Sequence, residues 1–534
     1  MSPRDLASIE GKAPVPSAHV PVMVIGAGAA GLSAAIETAQ LGIAVMLVEE
    51  QPVSTGTMGL DVPLFFGQRM AASRSNAHMM QQILESDPRI AEAYELGIDV
   101  QLGVCAWAVF ANPAADAATA VPLLVGLADD HRSWFVSCDR LIVAAGARDL
   151  CLGFPGWEKP GVLGVQGALQ LIERYDAFTG SKLLVLGAGA LGVRVAERAA
   201  AKGLSLAGVV DIDTAFAGTE HGRRFQELGV PLYAGHIIQE ARGTTEVNSA
   251  VLAALDAAGR PIDGSQKTVA CDSIVLAIGA VPNIELLDSL NCQLEFAAAK
   301  GGWVPRLDAN RTTSVKAVYA VGDCAGLGGD AVDEGKRVAR AMVASLEGGA
   351  AVSEPELMAP PSVTEDSGVA RLRAWMRAQI QVSGLDVLVC QCEEVTRREI
   401  VELRAPRYVP SPKSSKCARD LHTLAADGPL NQDQVKRLTR AGMGPCQGRR
   451  CREQVQALLE QVADCAPGAV PLARYRPPVR PLPLNILAAD SEPALLRDHW
   501  VAWFNISTQW LAHWEPKPVP LADAGRAPQP GEGE

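Results

Sequence analysis

The sequence predicts an α/β chain: two Rossmann-like dinucleotide-binding domains, the second inserted in the first, followed by a small, mainly helical domain carrying paired cysteines. Three observations carry this expectation. A strand, glycine turn and helix occur twice, starting near residues 21 and 182; glycine-ended strands near 146, 279 and 322 follow them; and four cysteines form two close pairs near the C-terminus. At 534 residues the chain is too long for one core and implies two to four domains.

Pro21 to Ile25 is a short apolar run, and Gly26-Ala-Gly28-Ala29-Ala30-Gly31 follows at once. The Ala-rich stretch from Leu32 to Leu41 favours helix until Gly42 stops it, and Ile43 to Val48 is a second buried strand ending in Glu49-Glu50. In this fingerprint the first glycine makes the tight turn, the second lets the backbone reach a pyrophosphate at the helix N-terminus, and the third lets helix and strand pack closely. Gly26, Gly28 and Gly31 take those roles, and Glu49, about 20 residues on, is placed to accept hydrogen bonds from a ribose.

The second copy runs from Leu183 to Leu186 as strand, Gly187-Ala-Gly189-Ala-Leu-Gly192 as turn, Val193 to Lys202 as helix, and Leu206 to Val210 as strand, ending at Asp211. A carboxylate at that place prefers a ribose 2′-OH and repels a 2′-phosphate, which favours NAD over NADP. A duplicated unit can equally persist as scaffold without its nucleotide. Leu141 to Ala147 passes through Gly146 and closes the first part; Ser273 to Asn283 closes the second. Thr312 to Asp323, containing Gly322, then leads to a helix from Asp333 to Leu346 that completes the first unit.

Cys390-Gln-Cys392 and Gly442-Met-Gly-Pro-Cys446-Gln-Gly-Arg-Arg-Cys451 supply four thiols as Cys-x-Cys and Cys-x4-Cys. Two close pairs suit a [2Fe–2S] cluster with all-cysteine ligation. Zinc knuckles usually space their ligands Cys-x2–4-Cys, so zinc and plain thiols remain the competing readings. Glycines 442, 444 and 448 let backbone N–H groups approach the sulfurs. Lys436, Arg437, Arg440, Arg449, Arg450 and Arg452 are candidates to offset the cluster's charge.

The boundaries expected are a flexible N-terminus at 1–20, a first nucleotide domain at 21–178 and 285–347, and an inserted one at 179–284. A linker and amphipathic helix (Val369 to Val382) follow at 348–385, then the cysteine domain at 386–465 and a Pro- and Trp-rich tail at 466–534. Within the tail, Trp500, Trp503, Trp510 and Trp514 fall on one side of any helix formed there, a stripe that must bury against this chain or a partner. The net charge of −12 argues against a nucleic-acid partner. The first twenty residues lack the apolar core of a signal peptide, no apolar run reaches the length of a membrane span, and twelve scattered cysteines do not look like a secreted disulfide framework. The compartment expected is the cytoplasm, with its membrane face left open. The eight histidines form no recognisable catalytic constellation, and no catalytic residue is nominated.

The order of these motifs, with the late Tyr319-Ala-Val-Gly322-Asp323, resembles the two-dinucleotide-binding-domain flavoproteins that include glutathione and thioredoxin reductases. The resemblance implies that the first unit holds FAD on Gly26, Gly28, Ala29, Ala30, Gly31, Glu49, Glu50, Gly146 and Gly322. Asp323 then lies on the flavin's ribityl chain, and the second unit faces an NAD-type nucleotide through Gly187, Gly189, Gly192 and Asp211. Phe154-Pro-Gly-Trp157, Pro160-Gly-Val162, Gly301-Gly-Trp-Val-Pro-Arg306 and the cysteine module add a narrower resemblance. They look like the FAD subunits of opine oxidases, of hydrogen cyanide synthase and of dye-linked proline and hydroxyproline dehydrogenases, with a bacterioferritin-associated-ferredoxin type of [2Fe–2S] domain ligated by Cys390, Cys392, Cys446 and Cys451.

Two departures qualify the broader resemblance. The Gly-Gly-Gln element that usually follows the second-strand acid is replaced by Glu50-Gln-Pro-Val-Ser-Thr-Gly-Thr-Met-Gly59, and no Cys-x2-Cys or Cys-x4-Cys pair follows either glycine turn. Disulfide chemistry is thereby removed, and Cys151 and Cys324 read as packing residues. The narrower resemblance implies an electron-transferring subunit of a heteromeric amino- or imino-acid dehydrogenase acting on an opine, glycine, proline or hydroxyproline. A D-amino-acid-oxidase-like flavoprotein subunit would be its partner, joined by a small ferredoxin-like subunit. The alternatives are a stand-alone NADH-dependent flavin/iron–sulfur reductase and a non-catalytic electron-transfer scaffold.

Overall fold

The computed structural model describes residues 14–52, 76–111, 123–347, 367–409 and 419–487. The segment replacing Gly-Gly-Gln, the linker, Cys417 and the tryptophan stripe with its tail lie outside those residues, apart from Glu50 to Pro52.

The first sheet takes β1 (Ala18–Ile25), β2 (Val45–Glu49), β3 (Asp99–Leu102), β4 (Cys105–Phe110), β5 (Leu123–Ala128) and β6 (Ser133–Val143) in the order β3-β2-β1-β6-β5-β4. Its core strands are parallel and in step, with Ile25 opposite both Val48 and Val143. All three therefore end at one edge, where Gly26 and Ala144 begin the loops, and it is at the carboxyl ends of such strands that open α/β sheets take ligands. Ala18, His19 and Val20 already pair with Val136, Ser137 and Cys138, so strand β1 starts earlier than the apolar run alone suggests. Helix α1 (Ala29–Gln40) covers the sheet with small buried side chains.

The second sheet is wholly parallel: β7 (Val162–Gly164), β8 (Lys182–Leu186), β9 (Ser205–Asp211), β10 (Leu232–Ala234) and β11 (Ser273–Leu276), in the order β10-β9-β8-β11-β7. Helix α2 (Ala190–Ala201) follows its glycine turn. Strand β7 lies in the stretch assigned from sequence to the first unit, yet it pairs with β11. An antiparallel layer of His236–Arg242, Ser249–Ala254 and Lys267–Ala270 and a hairpin of Leu294–Ala297 with Gly302–Pro305 have no counterpart in the sequence reading. Their residues lack the strict alternation that would announce them.

The chain then returns. β12 (Val318–Ala320) adds to β6 with Ala320 opposite Val143, delivering Gly322 and Asp323 to the edge occupied by Gly26. Helix α3 (Ala331–Glu347) packs on α1 where Gly335 meets Ala30; a Cβ on Gly335 would overlap the Ala30 carbonyl.

The third part holds α4 (Ser367–Ser383), the short hairpin Leu388–Cys390 with Val395–Thr396, α5 (Gln432–Thr439) and α6 (Arg452–Val462) around Val389, Ile400, Leu421, Val435 and Leu459. Beyond it the chain returns to the first unit rather than trailing away. Tyr475 and Val479 join that unit's core, and Ile486 packs against Trp107.

Candidate functional site

The two glycine turns are built alike, and in each the three glycines have different jobs. Gly26 has φ of 105°, and a Cβ there would overlap the Ala144 carbonyl; one on Gly31 would overlap the Gly26 carbonyl. Those two are demanded by packing. A Cβ on Gly28, in contrast, would meet nothing within 4 Å. The second turn repeats the pattern: Gly187 is crowded by Ala277 and Gly192 by Gly187, while Gly189 is open within 4 Å. Open space at the middle glycine is where a pyrophosphate would approach.

Acids close both turns. Glu49 accepts from Ala27 N–H at 2.6 Å and Gln51 N–H at 2.9 Å, and burial pushes its carboxyl above the ordinary range. Asp211 accepts from Ala188 N–H at 2.7 Å and Asp213 N–H at 3.0 Å. Glu49 still faces a cavity, whereas Asp211 exposes no surface.

That cavity, of about 520 Å³, brings together Gly26, Gly28, Ala29, Glu49, Glu50, Gly146 and Asp323. Ala30, Gly31 and Gly322 do not line it; they lie behind, where Gly322 packs on Ala30. Burial also raises the Asp323 carboxyl. Five arginines complete the wall: Arg89, Arg174, Arg194 and Arg480, which the sequence reading missed, and Arg449, which it named only for the cluster's charge. Arg480 pairs with Glu50 at 2.7 Å. Nothing local marks Arg480, because it arrives only through the return of the chain after the third part. Arg449 sits between Cys446 and Cys451, and that spacing is the signal that could have placed it.

The four cysteines converge as two pairs, each joining the two segments. A hydrogen bond from Cys451 holds the Cys390 thiol below its ordinary value and pushes Cys451 well above it; contact with Cys446 likewise raises Cys392. Gly442 donates its N–H to Cys390 Sγ at 3.4 Å, and Gly444 lies so close to Cys392 that a Cβ would overlap that side chain. Among the described residues no group of three or more His, Cys, Asp or Glu side chains forms a ready metal site. Two pairs are what a two-iron centre asks of its ligands, two thiolates for each iron.

The basic residues do not all turn to the sulfurs. Arg440 pairs with Glu393 at 2.7 Å, Arg449 with Glu285 at 3.8 Å, and Arg452 lies 3.3 Å from the Tyr475 ring centre. Cys324 gives its thiol to the Val143 and Val321 carbonyls, and burial pushes it up to about 11. Cys151, also buried, is pushed up to about 12. Neither is a reactive thiol.

One stretch, residues 148–157, grips both cysteine segments. Buried Arg148, two residues after Gly146, donates to the Arg449 carbonyl at 2.9 Å and pairs with Glu453 and, at 3.3 Å, with Glu285. Trp157 donates its indole N–H to the Leu388 carbonyl at 2.9 Å, two residues before Cys390. Arg397 reaches back to the Gly153 carbonyl at 2.6 Å.

Comparison with known proteins matches this architecture. Residues 20–348 match the family model for pyridine nucleotide-disulphide oxidoreductases, and residues 416–491 match that of the sarcosine oxidase A3 domain. The chain is 29% identical to an opine oxidase subunit of Rhizobium meliloti, over 88% of this chain and 99% of that protein. It is 26% identical to hydrogen cyanide synthase subunit HcnB of Pseudomonas aeruginosa, over 80% of this chain and 90% of that one. The crystal structure of L-proline dehydrogenase from P. horikoshii shares the fold, with a TM-score of 0.56 and 19% identity over 88% of this chain and 79% of that one. With more than half its length matched, the chain belongs to the pyridine nucleotide-disulphide oxidoreductase family and is an FAD-dependent oxidoreductase.

Proposed function

We propose that this chain is the electron-transferring subunit of a heteromeric amino- or imino-acid dehydrogenase, holding FAD in the 520 Å³ cavity and a [2Fe–2S] cluster on Cys390, Cys392, Cys446 and Cys451. One observation carries the reading. The loop bearing two of the cysteines also forms part of the cavity wall, through Arg449.

FAD accepts electrons in pairs and releases them singly, which is the chemistry needed between an amino-acid oxidation and a one-electron centre. The residues present fit it. Gly28 leaves the pyrophosphate its space, Glu49 offers the ribose a carboxylate, Asp323 stands where the ribityl chain would run, and the cavity's arginines match two phosphates. Arg148 holds the 446–451 loop against the cavity; Trp157 and Arg397 hold the 390–392 turn. The subunit names of the relatives support a partner carrying the substrate site, which we take to be a D-amino-acid-oxidase-like flavoprotein, with a small ferredoxin-like subunit beside it. We take the substrate to be an opine, glycine, proline or hydroxyproline, and the compartment to be the cytoplasm. The eleven described cysteines are all free, and among the described residues no helix is long and apolar enough to cross a membrane.

The open space at Gly189 favours a second reading, a stand-alone NADH-dependent reductase, but the burial of Asp211 withholds the ribose contact that reading needs. Co-purification with the neighbouring gene products, followed by dye reduction with each candidate substrate, tests the proposal. Reduction by an amino or imino acid only when the partner is present is expected. Anaerobic bleaching of the flavin by NADH alone would decide for the reductase.

A further inference from the structure

Beside the cysteine loop lies a second concavity, of about 240 Å³, lined by Met443 and Gln447 of that loop and by Lys436, Arg437, Arg474 and Arg476. Asp433 is the one acid among the described residues lining it. Buried Arg452, next to Cys451, lines it too, and its Nη1 has no hydrogen-bond partner among the described residues. So many cations on one face of a chain with a net charge of −12 repel one another, a cost that an anionic partner offsets.

The surroundings indicate what kind of anion. Arg437, Arg474 and Arg476 are exposed, and Met443 on the concavity's wall is a large apolar side chain exposed at 43%. Phosphate or another small anion would fill the concavity and leave Met443 in water. A protein surface covers both, with apolar contacts at the centre and charge at the rim. Anything docked there stands over the 446–451 loop.

We propose that this face docks an acidic one-electron carrier protein. The inference rests on the [2Fe–2S] reading given above. Each docking oxidises this chain by one electron and reduces the carrier by one, so two dockings complete one two-electron turnover, with its two protons released to solvent.

The test uses the full FAD- and iron-loaded chain and a strongly acidic plant-type ferredoxin as probe, with binding measured at about 50 mM and about 300 mM NaCl. Micromolar binding is expected at the lower salt, weakened roughly tenfold or more at the higher. The double charge reversal Arg437→Glu/Arg476→Glu should weaken it by a similar factor, while Arg223→Glu, an exposed arginine of the second unit, leaves it unchanged. Unaltered affinity in the double variant overturns the proposal, as does absence of binding at low salt. So does saturable, stoichiometric binding of inorganic phosphate that displaces the ferredoxin at matched ionic strength, which makes the concavity a small-anion site. Iron and acid-labile sulfide are assayed on every sample. Their absence from the wild-type chain defeats the cluster reading separately, whatever the binding shows.

Discussion

The guanidinium of Arg148 donates to the backbone carbonyl of Arg449 at 2.9 Å, tying the strand that follows Gly146 to the loop between Cys446 and Cys451. The same side chain meets Glu453 and Glu285 and is almost wholly buried. Replacing Arg148 with Met takes the cation from partly buried Glu453 and leaves buried Glu285 only its 3.8 Å contact with Arg449, at a cost of about 3 kcal/mol. Urea titration followed separately by flavin fluorescence and by visible cluster absorption should show the third part releasing first. Coincident, unshifted transitions would remove Arg148 from this role.

The three glycines of the first turn should separate by substitution. Gly28→Val has open space for its side chain, so the apoprotein should fold within about 1 kcal/mol of wild type and yet retain no FAD. Gly31→Val drives a side chain into the Gly26 carbonyl and should cost about 3 kcal/mol or more. Gly189→Val should keep its FAD. Thermal melts and flavin content read all three; full flavin in Gly28→Val would place the cofactor elsewhere.

Serine at Cys390, Cys392, Cys446 or Cys451 should abolish iron and acid-labile sulfide together. Serine at Cys324 or Cys465 should leave both intact. Low-temperature EPR of the reduced chain should show the rhombic signal of a [2Fe–2S] centre. Stoichiometric zinc without sulfide would contradict the assignment.

Asp149 gives a pH signature. It is half-buried, and although Gln166 donates its backbone N–H to it at 2.7 Å, desolvation pushes its carboxyl from 3.8 to about 6. The folded state therefore binds a proton that the unfolded state releases, and stability falls as pH rises from about 4 to about 6. Below that window the group contributes no penalty; above it the full loss, on the order of 3 kcal/mol, is present. Asp149→Asn, which keeps an acceptor oxygen, should lessen the fall in melting temperature across that interval, leaving the smaller part due to the raised carboxyls of Glu49 and Asp323. A wild-type slope retained in the variant would assign the effect to another group.

What could be read from sequence and what could not divide along a physical line. Gly31 and Gly192 answer to clashes within their own turns, with the Gly26 and Gly187 carbonyls, so their spacing carries the information; Gly26 and Gly187 also answer to the distant Ala144 and Ala277 carbonyls, and their positive φ is what marks them locally. Cys390, Cys392, Cys446 and Cys451 were legible as candidates because close cysteine pairs stand out in a sequence. Arg148, Arg480 and Tyr475 were not, since each acts across hundreds of residues and nothing beside it marks the partner. The antiparallel layer at 236–270 was missed for want of alternation. Asp211 was legible as an acid at the right place, but its complete burial depends on packing that spacing does not encode.

Strand β12 joins β6 only after roughly 175 further residues have been made. At ribosomal rates of about 5–20 residues per second, the Leu141–Val143 end of β6, beyond its pairing with β5, stays unpaired on that side for roughly 9–35 seconds. The second sheet draws every strand from residues 162–276 and can close during that wait. Synthesis therefore finishes the inserted unit before the one that surrounds it, leaving the short apolar edge Leu141–Val143 open on the nascent chain as an aggregation hazard. Chaperone demand should peak over that interval, and a truncation ending before Val318 should be recovered from inclusion bodies while the fragment around 159–282 stays in solution.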